Sequence, residues 1–258
     1  MGERTQYTPG TFCWTDLSTS DPDAAKAFYG GLFGWEVEDI PVGEGAVYSM
    51  MRLGGKAVAA ISRQQPEQAA AGVPPLWNTY VSVQSADATL AQATELGATV
   101  HAPAFDVMDA GRMGVIQDPQ GAYFLAWEPK QTIGAELVNA NGALAWNELA
   151  TPDLDAASAF YGALFGWTIE PMDGPMPYRL IKNGEASNGG MTIPNPPGTP
   201  PNWLVYFGID DLDVALTGIA ELGGTALTPA MDIGMGRIAV GQDPQGAVFA
   251  LFEGELDP

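Results

Sequence analysis

Hydrophobic and polar positions change period along this chain in an order that recurs. Residues 12–18 alternate and are rich in aromatic and β-favouring types, which predicts a strand. Asp21-Pro22-Asp23 then opens a helix, with Ser20 or Asp21 as the N-cap, because a short polar side chain accepts from the unpaired amides of a first turn. Ala24, Ala25, Phe28, Leu32 and Phe33 follow at helical spacing, and Gly34 supplies the stop. Short strands are predicted at Glu36–Glu38, Val47–Leu53 and Val58–Ile61. After a Pro-rich stretch from Gln65 to Pro75, a second unit repeats the plan: strand Trp77–Val83, helix Ala86–Leu96 closed by Gly97, and strands near 98–107, 113–117 and 122–127.

The whole pattern then returns. Residues 144–167 align without a gap to residues 12–35 at an offset of 132, with 15 of 24 positions identical. Trp77–Tyr80 answers Trp203–Tyr206 at an offset of 126, and QDPQGA at 117–122 answers QDPQGA at 242–247 at 125. Order is kept and offsets shrink, which is the mark of an internal duplication. The chain therefore holds four βαβββ units, two in residues 1–130 and two in residues 143–258, joined by a linker at 131–142. The predicted class is α+β: curved mixed sheets with helices outside and concave pockets. Strand parity places Leu17 and Leu149 on the helix side. It directs Phe12, Trp14, Asp16 and Ser18 into the cup, with Leu144, Trp146, Glu148 and Ala150 as their equivalents.

Charge narrows the partners. With 31 acidic and 10 basic side chains the net charge is −21, which argues against nucleic acid and anionic membranes. A single cysteine, Cys13, excludes an internal disulfide and reads as buried packing. With no apolar leader near the N-terminus, the expected setting is cytoplasmic, as a monomer that is a pseudo-dimer by duplication, or a weak homodimer.

The helix motif Asp21…Phe28-Tyr29…Leu32-Phe33-Gly34-Trp35, with Asp118-Pro119…Gly121 before the last strand, resembles the vicinal oxygen chelate superfamily, which includes glyoxalase I, bleomycin-resistance proteins and extradiol dioxygenases. The second copy carries Asp153, Phe160, Tyr161, Leu164, Phe165, Gly166, Trp167, Asp243, Pro244 and Gly246. The similarity spans nearly the whole chain and is nearest to two-domain bacterial members named as glyoxalases or hydroxylases. It implies two glyoxalase-like domains. In metal-using members, cup-facing His and Glu residues hold a divalent ion that acts as a Lewis acid. The corresponding positions here are Trp14 and Trp146, Asn78 and Leu204, Leu125 and Ala250, and the region of Met50 and Leu180. Indole and aliphatic side chains cannot ligate, so the expectation is no metal and no cofactor. The one histidine, His101, has Leu227 opposite it and reads as structural.

What remains is a cup of aromatic and polar groups, the usual make-up of a small-molecule site. The candidate ligand-binding residues are Trp14, Trp146, Tyr48, Tyr178, Trp77, Asn78, Tyr80, Trp203, Tyr206, Arg112 and Arg237. Asp16 and Glu148, each two residues from a cup tryptophan, are the candidate catalytic carboxylates, because desolvation by indole would raise their pKa. Arg112 and Arg237 are expected to pair with them or to clamp an anion. Asp118 and Asp243 read as turn formers. Two functions follow: a metal-independent binding protein for a hydrophobic or aromatic metabolite, or a metal-free isomerase, cyclase or lyase with Asp16 or Glu148 as general base.

Overall fold

A computed structural model describes residues 2–43, 45–174 and 176–256; the outer limits drawn for the two domains, Met1 and Pro258, lie outside the described residues. The first half contains β1 (Gly2–Glu3), β2 (Phe12–Thr19), α1 (Pro22–Phe33), β3 (Glu36–Gly43), β4 (Ala46–Leu53), β5 (Lys56–Arg63) and α2 (Pro66–Ala70). It continues with β6 (Leu76–Ser82), α3 (Ala86–Glu95), β7 (Thr99–Val107), β8 (Gly111–Gln117) and β9 (Tyr123–Pro129). After β10 (Leu137–Val138), the second half contains β11 (Leu144–Ala150), α4 (Leu154–Phe165), β12 (Thr168–Met172), β13 (Tyr178–Asn183) and β14 (Ala186–Thr192). It ends with β15 (Asn202–Gly208), α5 (Leu212–Glu221), β16 (Thr225–Ala226), β17 (Met231–Asp232), β18 (Gly236–Gln242) and β19 (Val248–Gly254).

The local rules act as the sequence implies. Asp21 caps α1 by accepting from Ala24 N at 3.2 Å, and Gly34 ends it in the left-handed region at φ 72°. Asp153 and Gly166 repeat both devices around α4. Short α2 forms inside the Pro-rich stretch, where proline occupies a first helical turn.

Each half builds one mixed sheet. The first runs β3-β4-β5-β2-β6-β9-β8-β7, and the second β12-β13-β14-β11-β15-β19-β18-β16, with β17 also paired to β18. The two units of a half join through their first strands, β2 with β6 and β11 with β15, both antiparallel. The mixed sheets curl as half-barrels, and helices cover their convex backs.

Those backs meet, so α1 and α4 are buried between the halves. Tyr29 of α1 donates to Asp243 Oδ2 at 3.1 Å, and Tyr161 of α4 donates to Asp118 Oδ2 at 2.9 Å. Trp77 Nε1 donates to the Tyr29 hydroxyl at 3.0 Å, and Trp203 Nε1 to that of Tyr161 at 3.0 Å. Asp118 and Asp243 do shape their turns, each accepting from backbone amides through Oδ1, while Oδ2 reaches the opposite half. The same duplicated motif therefore forms both ends of a reciprocal clasp.

Two placements differ from the parity reading. A β-bulge between Phe12 and Trp14 turns Phe12 to the back, where its ring lies 4.9 Å from Trp203 and 5.4 Å from Trp167. The matching bulge between Leu144 and Trp146 buries Leu144 in the core shared with Phe207 and Phe249. Cys13 sits at the first bulge, fully buried, with its thiol pushed up by burial.

Candidate functional site

The concave face of the first sheet gathers Trp14, Asp16, Tyr48, Asn78 and Tyr80. Register explains this: Trp14 lies opposite Tyr80 and Asp16 opposite Asn78, so their side chains share a face. Asp16 Oδ2 accepts from Tyr80 at 2.7 Å and from Tyr48 at 3.0 Å, and Oδ1 accepts from Asn78 Nδ2 at 2.8 Å. Trp14 Nε1 donates to the Tyr48 hydroxyl at 3.0 Å. Burial pushes the Asp16 carboxyl above the usual carboxylate range, and the three donors pull it back only in part. Tyr48 and Tyr80 are pushed well up, by burial and then by the Asp16 charge.

The second cup repeats the plan with changes. Trp146 Nε1 donates to the Tyr178 hydroxyl at 3.1 Å, and Tyr206 donates to Glu148 Oε1 at 3.0 Å. The Glu148 carboxyl is raised by burial and lowered in part by the neighbouring Tyr206 and Tyr178. Leu204, opposite Glu148, offers no donor where Asn78 serves Asp16.

Other sequence candidates lie elsewhere. Trp77 and Trp203 stand opposite Leu17 and Leu149, on the back of the sheet, 5 % and 6 % exposed in the clasp described above. They are interface residues, and the aromatic type concealed the parity. Arg112 and Arg237 do not reach the cup carboxylates. Arg112 sits on the helix side beside Met113 and pairs with Asp87 in the first turn of α3 at 2.7 Å, and with Asp106 at 3.2 Å. Arg237 pairs with Asp213 in the first turn of α5 at 2.9 Å and also with Glu253. Both tie a strand to a helix terminus. His101 is exposed, with Nε2 3.0 Å from Gln117 Oε1 and 3.2 Å from the Tyr123 hydroxyl.

Two further contributors line the cups at positions that strand parity marks. Trp127, two residues beyond Leu125 and so on the same face, lies 6.3 Å from Tyr80 in the first cup; Phe252 is its equivalent. Gly190 holds the place of Ala60 beside the carboxylate, and a Cβ there would collide with the Tyr178 hydroxyl. A cavity of about 390 Å³ adjoins the first cup, bounded by Met50, Arg52, Thr132 and Ile133.

Neither donor set fits a divalent ion. Among the described residues no three His, Cys, Asp or Glu side chains come together. Each cup offers one carboxylate, and that of Asp16 has both oxygens engaged.

Paired βαβββ half-barrels, each with a polar floor under aromatic walls, define a duplicated cup architecture. The family described as Glyoxalase/Bleomycin resistance protein/Dioxygenase superfamily matches residues 11–125, and a glyoxalase-like domain matches residues 146–252. A Mycobacterium tuberculosis protein, CFP32, provisionally named a glyoxylase, is 46% identical over 98% of both chains. The anthracycline biosynthesis protein DauV of Streptomyces sp. (strain C5) is 32% identical over 96% of this chain and 95% of its own. Among solved structures, the Mn(II)-bound glyoxalase from Novosphingobium aromaticivorans superposes with a TM-score of 0.68 at 17% identity, covering 96% of this chain and 83% of that one. The 2,3-dioxygenase LapB from Pseudomonas sp. KL28 superposes at 0.65 and 14%, covering 98% and 95%. The chain belongs to the glyoxalase/bleomycin resistance protein/dioxygenase superfamily.

Proposed function

We propose that the chain is a metal-independent binding protein that holds a hydrophobic or aromatic small molecule in an aromatic-lined cup. The observation that carries this reading is the carboxylate of each cup, which no group of three metal-ligating side chains includes among the described residues and which a tyrosine hydroxyl engages. Tryptophan and tyrosine faces stack on planar ligands, and a carboxylate among them accepts a hydrogen bond from a ligand O–H or N–H. A net charge of −21 disfavours anionic ligands at the same surface. The naming of two relatives for anthracycline biosynthesis supports a planar polycyclic ligand.

A second reading is a metal-free isomerase, cyclase or lyase. It is favoured by Glu148, whose carboxyl burial holds above the usual range, so that its ionised form is a stronger base. One titration separates the readings. Dihydroxyanthraquinone is added to chelator-treated protein while tryptophan emission and the absorbance of the probe are followed. The binding reading predicts saturable quenching with the probe unchanged; the enzymatic reading requires a product, lost in Glu148→Gln.

A further inference from the structure

The two cups share a plan but are not equally open. In the first, Trp14, Asp16 and Trp127 are 6 %, 6 % and 8 % exposed; in the second, Trp146, Glu148 and Phe252 are all partly exposed. The first cup is closed by chain segments outside the repeat. Thr132 O accepts from Trp127 Nε1 at 3.0 Å, and Ala135 N donates to Cys13 O at 2.8 Å. Tyr7 in turn donates to Ala135 O at 2.8 Å, so the N-terminal arm holds the linker against the sheet.

The carboxylates differ in the same sense. Asp16 takes three side-chain donors, one of them an amide, and is left little capacity for a ligand. Glu148 takes one side-chain donor, Tyr206, because Leu204 replaces the amide. A carboxylate has about four acceptor sites, so Glu148 retains room for another donor. Around it the walls are smaller: phenyl at Phe252 instead of indole at Trp127, and hydrogen at Gly190 instead of methyl at Ala60, a space the Tyr178 hydroxyl fills.

We infer that the cups have divided the work: the Asp16 cup is the more closed and serves as a polar core, and the Glu148 cup binds one planar aromatic molecule whose hydroxyl donates to Glu148. Tyr206 fixes the carboxylate, Tyr178 is held by Trp146, which supplies the apolar face, and Leu204 leaves the acceptor free. This assignment rests on the binding reading above, so its test must separate the two.

The test is equilibrium dialysis of the full chain with dihydroxyanthraquinone, and with unsubstituted anthraquinone as the ring lacking hydroxyls. One dihydroxyanthraquinone per chain is expected, bound at least tenfold more tightly than anthraquinone. Phe252→Trp, which restores the bulk of the first cup, is expected to lower affinity for both probes at least tenfold. Leu204→Asn, which restores the competing donor, is expected to erase the preference for the hydroxylated probe. Circular dichroism confirms that each variant is folded, and either variant alone decides the matter. Two probes per chain, or affinity and preference unmoved by the folded variants, would overturn the assignment while leaving the binding reading intact. No saturable binding by the unaltered protein would overturn both.

Discussion

Tyr29→Phe tests the clasp that orients one cup against the other. The substitution keeps the ring and deletes one hydroxyl, which accepts from Trp77 Nε1 at 3.0 Å and donates to Asp243 Oδ2 at 3.1 Å. Tyr29 is fully buried, and Trp77 and Asp243 are 5 % and 3 % exposed, so water cannot replace the lost partner. Stranding a buried polar group costs roughly 1–3 kcal/mol. The indole N–H loses the partner it has in the clasp, whereas the Asp243 carboxylate keeps backbone donors from Gln245 and Ala247. The total is therefore about 2–4 kcal/mol, below the sum of two full penalties. For a chain of this size that corresponds to a drop in Tm of very roughly 4–16 °C. Urea unfolding followed by tryptophan emission, with a parallel thermal scan, measures it. Tyr161→Phe breaks the repeated bond and should cost a similar amount, and the two losses should add, since the sites share no partner. A loss below about 0.5 kcal/mol would refute the reasoning, because it would mean the clasp is solvated or replaceable.

Three further outcomes follow. Burial raises the folded-state pKa of Asp16, Glu148 and Asp243, so the folded chain keeps these protons to higher pH than the unfolded chain. Their contribution to stability is then fully present below the ordinary carboxylate range and is lost as pH rises through the raised values. Asp39, Asp87 and Asp106, held low by Ser49, Arg112 and Lys130, act in the opposite sense, so the difference between unaltered protein and Asp16→Asn is what should be measured; the variant's urea midpoint should decline less over that window. Arg112→Ala should move the urea midpoint only slightly and leave probe binding unchanged, because its pairs with Asp87 and Asp106 are solvent-exposed and remote from the cup. Gly190→Ala should push the Tyr178 hydroxyl away from Glu148 and weaken probe binding in the dialysis assay.

Much of the fold was legible because local chemistry and repetition agreed. Asp21 and Gly34 announce the ends of α1, and the same devices return at Asp153 and Gly166. The cup centre was legible too: Trp14, Asp16, Tyr48, Asn78 and Tyr80 converge because strand register pairs positions of one parity. Parity failed at Phe12 and Leu144, since a bulge inserts one residue and reverses the face without marking the sequence. Trp77 and Trp203 misled for another reason. Their opposition to Leu17 and Leu149 places them on the back, but an aromatic residue suits a core and a ligand cup equally. Contacts between halves, such as Tyr29 with Asp243, join residues 214 positions apart and emerge only once both sheets exist.

The proposed function is that a cup built on aromatic rings and Glu148 binds without a metal. It is tested most directly by titrating dihydroxyanthraquinone into the protein before and after exhaustive chelation, with bound metal measured in both samples. Saturable binding of equal affinity in both, weakened at least tenfold in Glu148→Gln, is the result predicted. Binding that disappears with the metal and returns on adding back a divalent ion would contradict it.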